Sequence, residues 1–100
     1  MLKTIVKFSA EWCQPCKTFA KVFHNVKEMD EYKDIEFKEL DIENDDEGIV
    51  LTEKYQVKSV PTTILLDENG EQLFKVIGNA PQNDFIEIIN EAIKRGEEKK

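Results

Sequence analysis

Three segments near the start of the chain follow one another with little connecting sequence, and their order leaves few folds open. Leu2 to Phe8 is short and β-rich. Residues 13 to 30 then place Phe19, Val22, Phe23, Val26 and Met29 at helical spacing. Ile35 to Ile42 alternates roughly by two, as a half-buried strand does. Two strands joined by a helical crossover are parallel, with a right-handed connection. Residues 46 to 56 read as a weaker, irregular helix. Pro61 to Asp67 reads as a strand opened by proline, and Glu71 to Ile77 as its return strand. Between them Glu68-Asn69-Gly70 is a hairpin turn, because Asn-Gly supplies the positive φ that tight hairpins need. These last two strands must be antiparallel. Phe85, Ile88, Ile89 and Ala92 set a final helix from about Pro81 to Arg95, stopping near Gly96. The expected order is βαβαββα, an α/β fold with a four-stranded mixed sheet flanked by three helices.

The 100 residues fit one domain, 1–100, with 97–100 as a frayed tail. A chain this long buries roughly 65% of its unfolded surface, enough for a core without disulfide staples. No apolar run approaches the ~20 residues of a membrane span, and the first residues lack the apolar stretch of a signal peptide. The formal net charge of −7 argues against nucleic acid, which needs a basic footprint. The expected setting is cytoplasmic. Two cysteines cannot build a disulfide framework or a four-thiolate zinc site, so no metal is expected.

Those two cysteines carry the chemistry. The segment Phe8 to Lys17 ends a strand and opens a helix, which puts Cys13 at or beside the helix N-cap. Unpaired N–H groups and the positive end of the helix dipole stabilise a thiolate there and make it the nucleophile. Cys16 lies one turn on, facing back toward Cys13 and expected to be more buried. Pro15 falls in the first turn, where its missing N–H costs little. The arrangement suits dithiol–disulfide exchange, with Cys13 attacking and Cys16 resolving the mixed disulfide. The competing reading of Cys-x-x-Cys is half of a metal site. His24, the lone histidine, reads as a surface or hydrogen-bonded residue with no catalytic role.

At Trp12-Cys13-Gln14-Pro15-Cys16-Lys17 the chain resembles the thioredoxin family, whose pattern has glycine where Gln14 stands. Tyr55 to Thr62 resembles the family segment that ends in a cis-proline, here Pro61. Gly70 and Gly78 match family glycines in order. The resemblance implies a thioredoxin-like fold and a cis Val60–Pro61 bond facing the cysteines. It also implies a substrate groove bordered by Trp12, Gln14, Pro15, Val60, Pro61 and the Ile77-Gly78-Asn79 loop, with Val60 backbone groups free to pair with an extended substrate. Gln14 adds a polar group beside the nucleophile.

Two departures stand out. The family's usual strand and helix before the motif strand are lacking, which makes Ile35–Ile42 a sheet edge. The family also buries an aspartate six residues before the first cysteine; here that position is Lys7, and the family's lysine partner aligns with Glu39. Strand parity puts Ile5 and Lys7 on one face, and Phe37 and Glu39 likewise, so a swapped ion pair is expected, with Lys7 snorkelling to the surface as the alternative. By the resemblance, Lys7 and Glu39 would tune proton transfer at the cysteines.

Residues 28 to 53 hold twelve acids and two bases, while Lys17, Lys21 and Lys58 lie near the motif segments. Such a run is ordinarily a solvated face; the sharper reading is electrostatic selection of a partner. Taken together, these features imply a reductase of protein disulfides with no cofactor beyond the Cys13–Cys16 couple. It would act as a monomer and draw electrons from a thioredoxin-reductase-type partner or glutathione. A glutaredoxin-like enzyme acting on glutathione mixed disulfides is the nearest alternative, and a non-catalytic binding module is the alternative from another class.

Overall fold

The structure, a computed structural model, describes residues 1–98. The elements run β1 (Leu2–Ser9), α1 (Gln14–Lys27), β2 (Glu36–Asp41), α2 (Asp46–Lys54), β3 (Thr62–Asp67), β4 (Gln72–Ile77) and α3 (Gln82–Glu98). This is the expected βαβαββα order. The sheet order is β2-β1-β3-β4, with β1 and β2 parallel and β1–β3 and β3–β4 antiparallel. Among the described residues β2 is therefore an edge, as its alternating charges suggest. The hairpin turns at Glu68-Asn69-Gly70, where Gly70 has φ +79°.

The two sheet faces differ. One carries Ile5 and Leu65 and is covered by α1 and α3 through Phe19, Phe23, Val26, Phe85 and Ile89, all fully buried. Edge-to-face contacts knit the rings there: Phe19 with Phe85 at 5.1 Å and Phe23 with Phe37 at 5.4 Å between centroids. The other face carries Val6, Phe8, Leu40, Ile64 and Leu66, against which Leu51 of α2 and Tyr55 pack.

Two helix ends differ from the sequence expectation. α1 stops at Lys27, short of residue 30, and a 3-10 turn, Asp30–Tyr32, follows. That turn buries Tyr32, whose hydroxyl donates to Asn90 Oδ1 at 2.8 Å, so a tertiary contact overrides the helical periodicity. At the other end, Gly96 does not stop α3, which continues to Glu98. Gly96 lies inside the helix because it packs on the chain start: a Cβ there would come within 2.8 Å of Leu2 N and Met1 Cα. The glycine answers a close approach and not a C-cap. The first half of the expected frayed tail is thus helical, and Lys99 and Lys100 lie outside the described residues.

Candidate active site

Cys13 is the N-cap of α1, with extended backbone at φ −90° and ψ 107°. Its Sγ accepts the Cys16 backbone N–H at 3.1 Å, one of the donors a helix start leaves unpaired. Pro15 sits in the first turn, and Gln14 and Pro15 are exposed. Cys13 and Cys16 are joined by a disulfide with their Cα atoms 5.3 Å apart. Cys16 is not the more buried of the two. Both are 3% exposed, because the sulfurs cover each other and Val60 and Ile42 pack against the pair.

The Val60–Pro61 peptide is cis. Pro61 is buried, and its carbonyl accepts the Gly78 N–H at 2.8 Å, which ties the end of β4 to the proline. Ile77 is 68% exposed and Trp12 66%, two large apolar side chains left open to solvent near the cysteine and proline segments. Trp12 is held by its indole Nε1, which donates to Glu43 Oε1 at 2.8 Å.

Glu43 is placed by a loop that local patterning did not single out. Asp41 Oδ1 accepts the backbone N–H groups of Glu43 at 2.8 Å and Asn44 at 3.0 Å. Those bonds outweigh desolvation and hold the Asp41 carboxyl below its ordinary value. Gly48, in the first turn of α2, lies against the Asp41 carbonyl, which a Cβ would overlap. Gly48→Ala should push α2 off this loop, destabilise the protein by about 1–3 kcal/mol and alter Trp12 emission. Urea unfolding and fluorescence check both.

Beneath the cysteines, Lys7 and Glu39 are register partners on β1 and β2. Lys7 Nζ lies 2.9 Å from Glu39 Oε1 and 5.1 Å from the centre of the Phe23 ring. The Lys7 side chain is 4% exposed and that of Glu39 39%, so the pair is buried at one end only. The same Glu39 oxygen meets His24 Nε2 at 2.7 Å. Partial burial pushes the Glu39 carboxyl up, but the hydrogen bonds and charges of Lys7 and His24 outweigh it and leave it below its ordinary value. A cavity of about 200 Å3 opens beside this cluster, with Lys7, Ser9, Ala10, Cys16, Lys17 and Asp41 among its walls. Cys16 and Lys7 thus share one cavity. No group of His, Cys, Asp or Glu among the described residues is arranged to hold a metal ion.

The thioredoxin family model matches residues 2–91. The chain belongs to the thioredoxin family. It is 32% identical to the thioredoxin of Mycoplasmoides gallisepticum over 87 residues, covering 87% of this chain and 81% of that one. It is 36% identical to the Rickettsia bellii thioredoxin over 93 residues, covering 92% and 83%. In three dimensions it is similar to the thioredoxin of Malassezia sympodialis, with a TM-score of 0.74 at 24% identity over 89% of this chain and 74% of that one. It is also similar to the Fasciola hepatica thioredoxin, with a TM-score of 0.72 at 26% identity over 87% and 77%. Thioredoxin membership and the close cysteine pair make the protein a thiol–disulfide oxidoreductase. No helix among the described residues is long and apolar enough to cross a membrane.

Proposed function

We infer that this thioredoxin-family protein reduces disulfides in other proteins by dithiol exchange. The observation that carries the reading is the placement of Cys13 Sγ on an unpaired N–H at the start of α1. A thiolate there is favoured by that donor and by the helix dipole, and it attacks the substrate disulfide. The mixed disulfide forms between Cys13 and one substrate sulfur. Cys16 then attacks Cys13 Sγ, the substrate leaves as its thiol, and the protein disulfide closes. The proton lost by Cys16 balances the one gained by the departing substrate.

Substrate binding falls to the surface around the sulfurs. Trp12, Gln14 and Pro15 form one side, Val60 and Pro61 another, and Ile77 and Gly78 extend it. Among the described residues Val60 backbone groups take part in none of the turn and loop hydrogen bonds, which suits pairing with an extended substrate segment. Lys7, oriented by Glu39, stabilises negative charge developing on Cys16 across the shared cavity. In this reading no cofactor is needed beyond the Cys13–Cys16 couple. The protein works as a cytoplasmic monomer fed by a thioredoxin-reductase-type partner or by glutathione.

The test is reduction of a disulfide-bonded protein with dithiothreitol as electron source. Wild type accelerates it, Cys13→Ser does not, and Cys16→Ser accumulates a mixed disulfide with the substrate. Loss of the reaction in wild type, or full activity in Cys16→Ser, overturns the reading. Turnover of a glutathione mixed disulfide by Cys13 alone would point to glutaredoxin-like chemistry instead.

A further inference from the structure

Lys7 is buried, yet its charge partner is not, and that partner is shared. Glu39 Oε1 lies 2.9 Å from Lys7 Nζ and 2.7 Å from His24 Nε2. The His24 side chain is 55% exposed, so the chain of contacts runs from solvent through Glu39 to an ammonium in the cavity that Cys16 lines. One carboxylate oxygen serves two donors on different elements, α1 and β1.

We propose that His24 is a positioning residue for the second half-reaction: its protonation shifts Glu39 away from compensating Lys7, exposing Cys16 to more of the lysine's positive charge. This rests on the dithiol-exchange reading above. With neutral His24, Lys7 and Glu39 cancel. With protonated His24, one carboxylate faces two cations and the cluster carries a net positive charge. A cation across a small cavity favours the Cys16 thiolate, which is the attacking form. Cys16 then forms its bond to Cys13 Sγ sooner, the Cys13–substrate bond breaks, and the proton given up by Cys16 matches the one taken by the leaving thiol.

The charged groups around this chain come from every neighbouring element. β1 contributes Lys7, β2 Glu39 and α1 His24, while Glu11, Lys17 and Asp41 line the cavity beside them. Despite partial burial, hydrogen bonds and the charges of Lys7 and His24 hold the Glu39 carboxyl below its ordinary value, and backbone N–H donors do the same for Asp41. Histidine is the side-chain type that changes charge between about pH 5 and 8, while carboxylates and ammonium groups as classes change outside that window. His24 is the one histidine of the sequence, and it lies in this cluster against Glu39.

The test isolates the second step. The reduced full chain is mixed with an aromatic disulfide whose released thiol is coloured. The first release reports attack by Cys13 and the second reports resolution by Cys16. In wild type at pH 6 the second release should be about three- to fivefold faster than in His24→Gln, on a Coulombic estimate for one added charge beyond contact distance. At pH 8.5 the two should coincide. His24→Lys, which keeps a permanent cation against Glu39, should remain fast at both pH values. Equal wild-type and His24→Gln rates at pH 6, a deficit in His24→Gln that is the same at both pH values, or a His24→Lys protein that behaves like His24→Gln would each overturn the proposal. A purely structural role would give the uniform deficit. If wild type shows no second release, or Cys16→Ser retains it, the dithiol-exchange reading itself fails.

Discussion

Phe23→Ala should remove about 3–5 kcal/mol of stability, the range for deleting a fully buried aromatic ring. Phe23 has no exposed surface. Its ring lies between Phe19 at 6.2 Å, Phe85 at 6.1 Å and Phe37 at 5.4 Å, so its loss opens a void that α1, α3 and β2 all border. It also takes the aromatic face from Lys7, whose ammonium stands 5.1 Å from the ring centre. For a domain of this size each kcal/mol moves the thermal midpoint by about 4–8 °C, so the midpoint should fall by roughly 12–40 °C. Urea unfolding of the oxidised protein measures it directly. A loss under about 1 kcal/mol would mean that the aromatic cluster is not the centre of the fold.

The two ends of the Lys7–Glu39 pair should respond oppositely to removal. Lys7→Met deletes the buried charge and keeps an unbranched stem in the same space, so stability should stay within about 1 kcal/mol or rise. Glu39→Leu leaves an ammonium buried without its partner. The cost of such a break is about 3–5 kcal/mol when both groups are buried. Glu39 is 39% exposed, and water screens its end, so about 1–3 kcal/mol is expected here. The pH dependence has a defined sign. Glu39 is depressed in the folded protein from its ordinary 4.5, so its contribution is fully present above about pH 4.5 and is lost as pH falls through the lower folded value. Glu39→Gln should therefore show a shallower acid loss of stability than wild type. Chemical denaturation between pH 3 and 7 reads both effects. Equal losses for Lys7→Met and Glu39→Leu would show that the charge on Lys7 is not what Glu39 compensates.

The Lys7–Glu39 contact was legible because the family resemblance aligned the two positions and strand parity, with its fixed period of two, put each on a consistent face. The hairpin at Asn69-Gly70 followed from a local rule, and the edge position of β2 from the family elements that the resemblance lacks. His24 and Glu43 were not legible in the same way. Each reaches its partner across an angle between elements: His24 from α1 onto β2, Glu43 from a loop onto Trp12. Local periodicity carries no such angle. In the structure His24 follows Phe23, which packs on Phe37, and Glu39 lies two residues along the same strand face. Gly96 misled for a related reason: glycine near a helix end signals a stop unless another segment's backbone presses on it.

The uneven covering of the sheet has a mechanical consequence at the cysteines. The cysteines ride on α1, which is rooted by Phe19, Phe23 and Val26 with no exposed surface. α2 is rooted far more lightly. Gly48 is its one buried residue, Leu51 is half-buried, and Ile49 and Val50 face solvent. Trp12 is moored to Glu43 just before α2, and Val60 lies just after it. Elements with few buried apolar contacts open at the lowest free energy. The sulfurs are therefore carried on a firmly rooted helix, while the segment from Glu43 to Val60 that surrounds α2 is the lightly rooted one. Deformation falls first on α2 and its flanks, while the distance between the two cysteines stays the same.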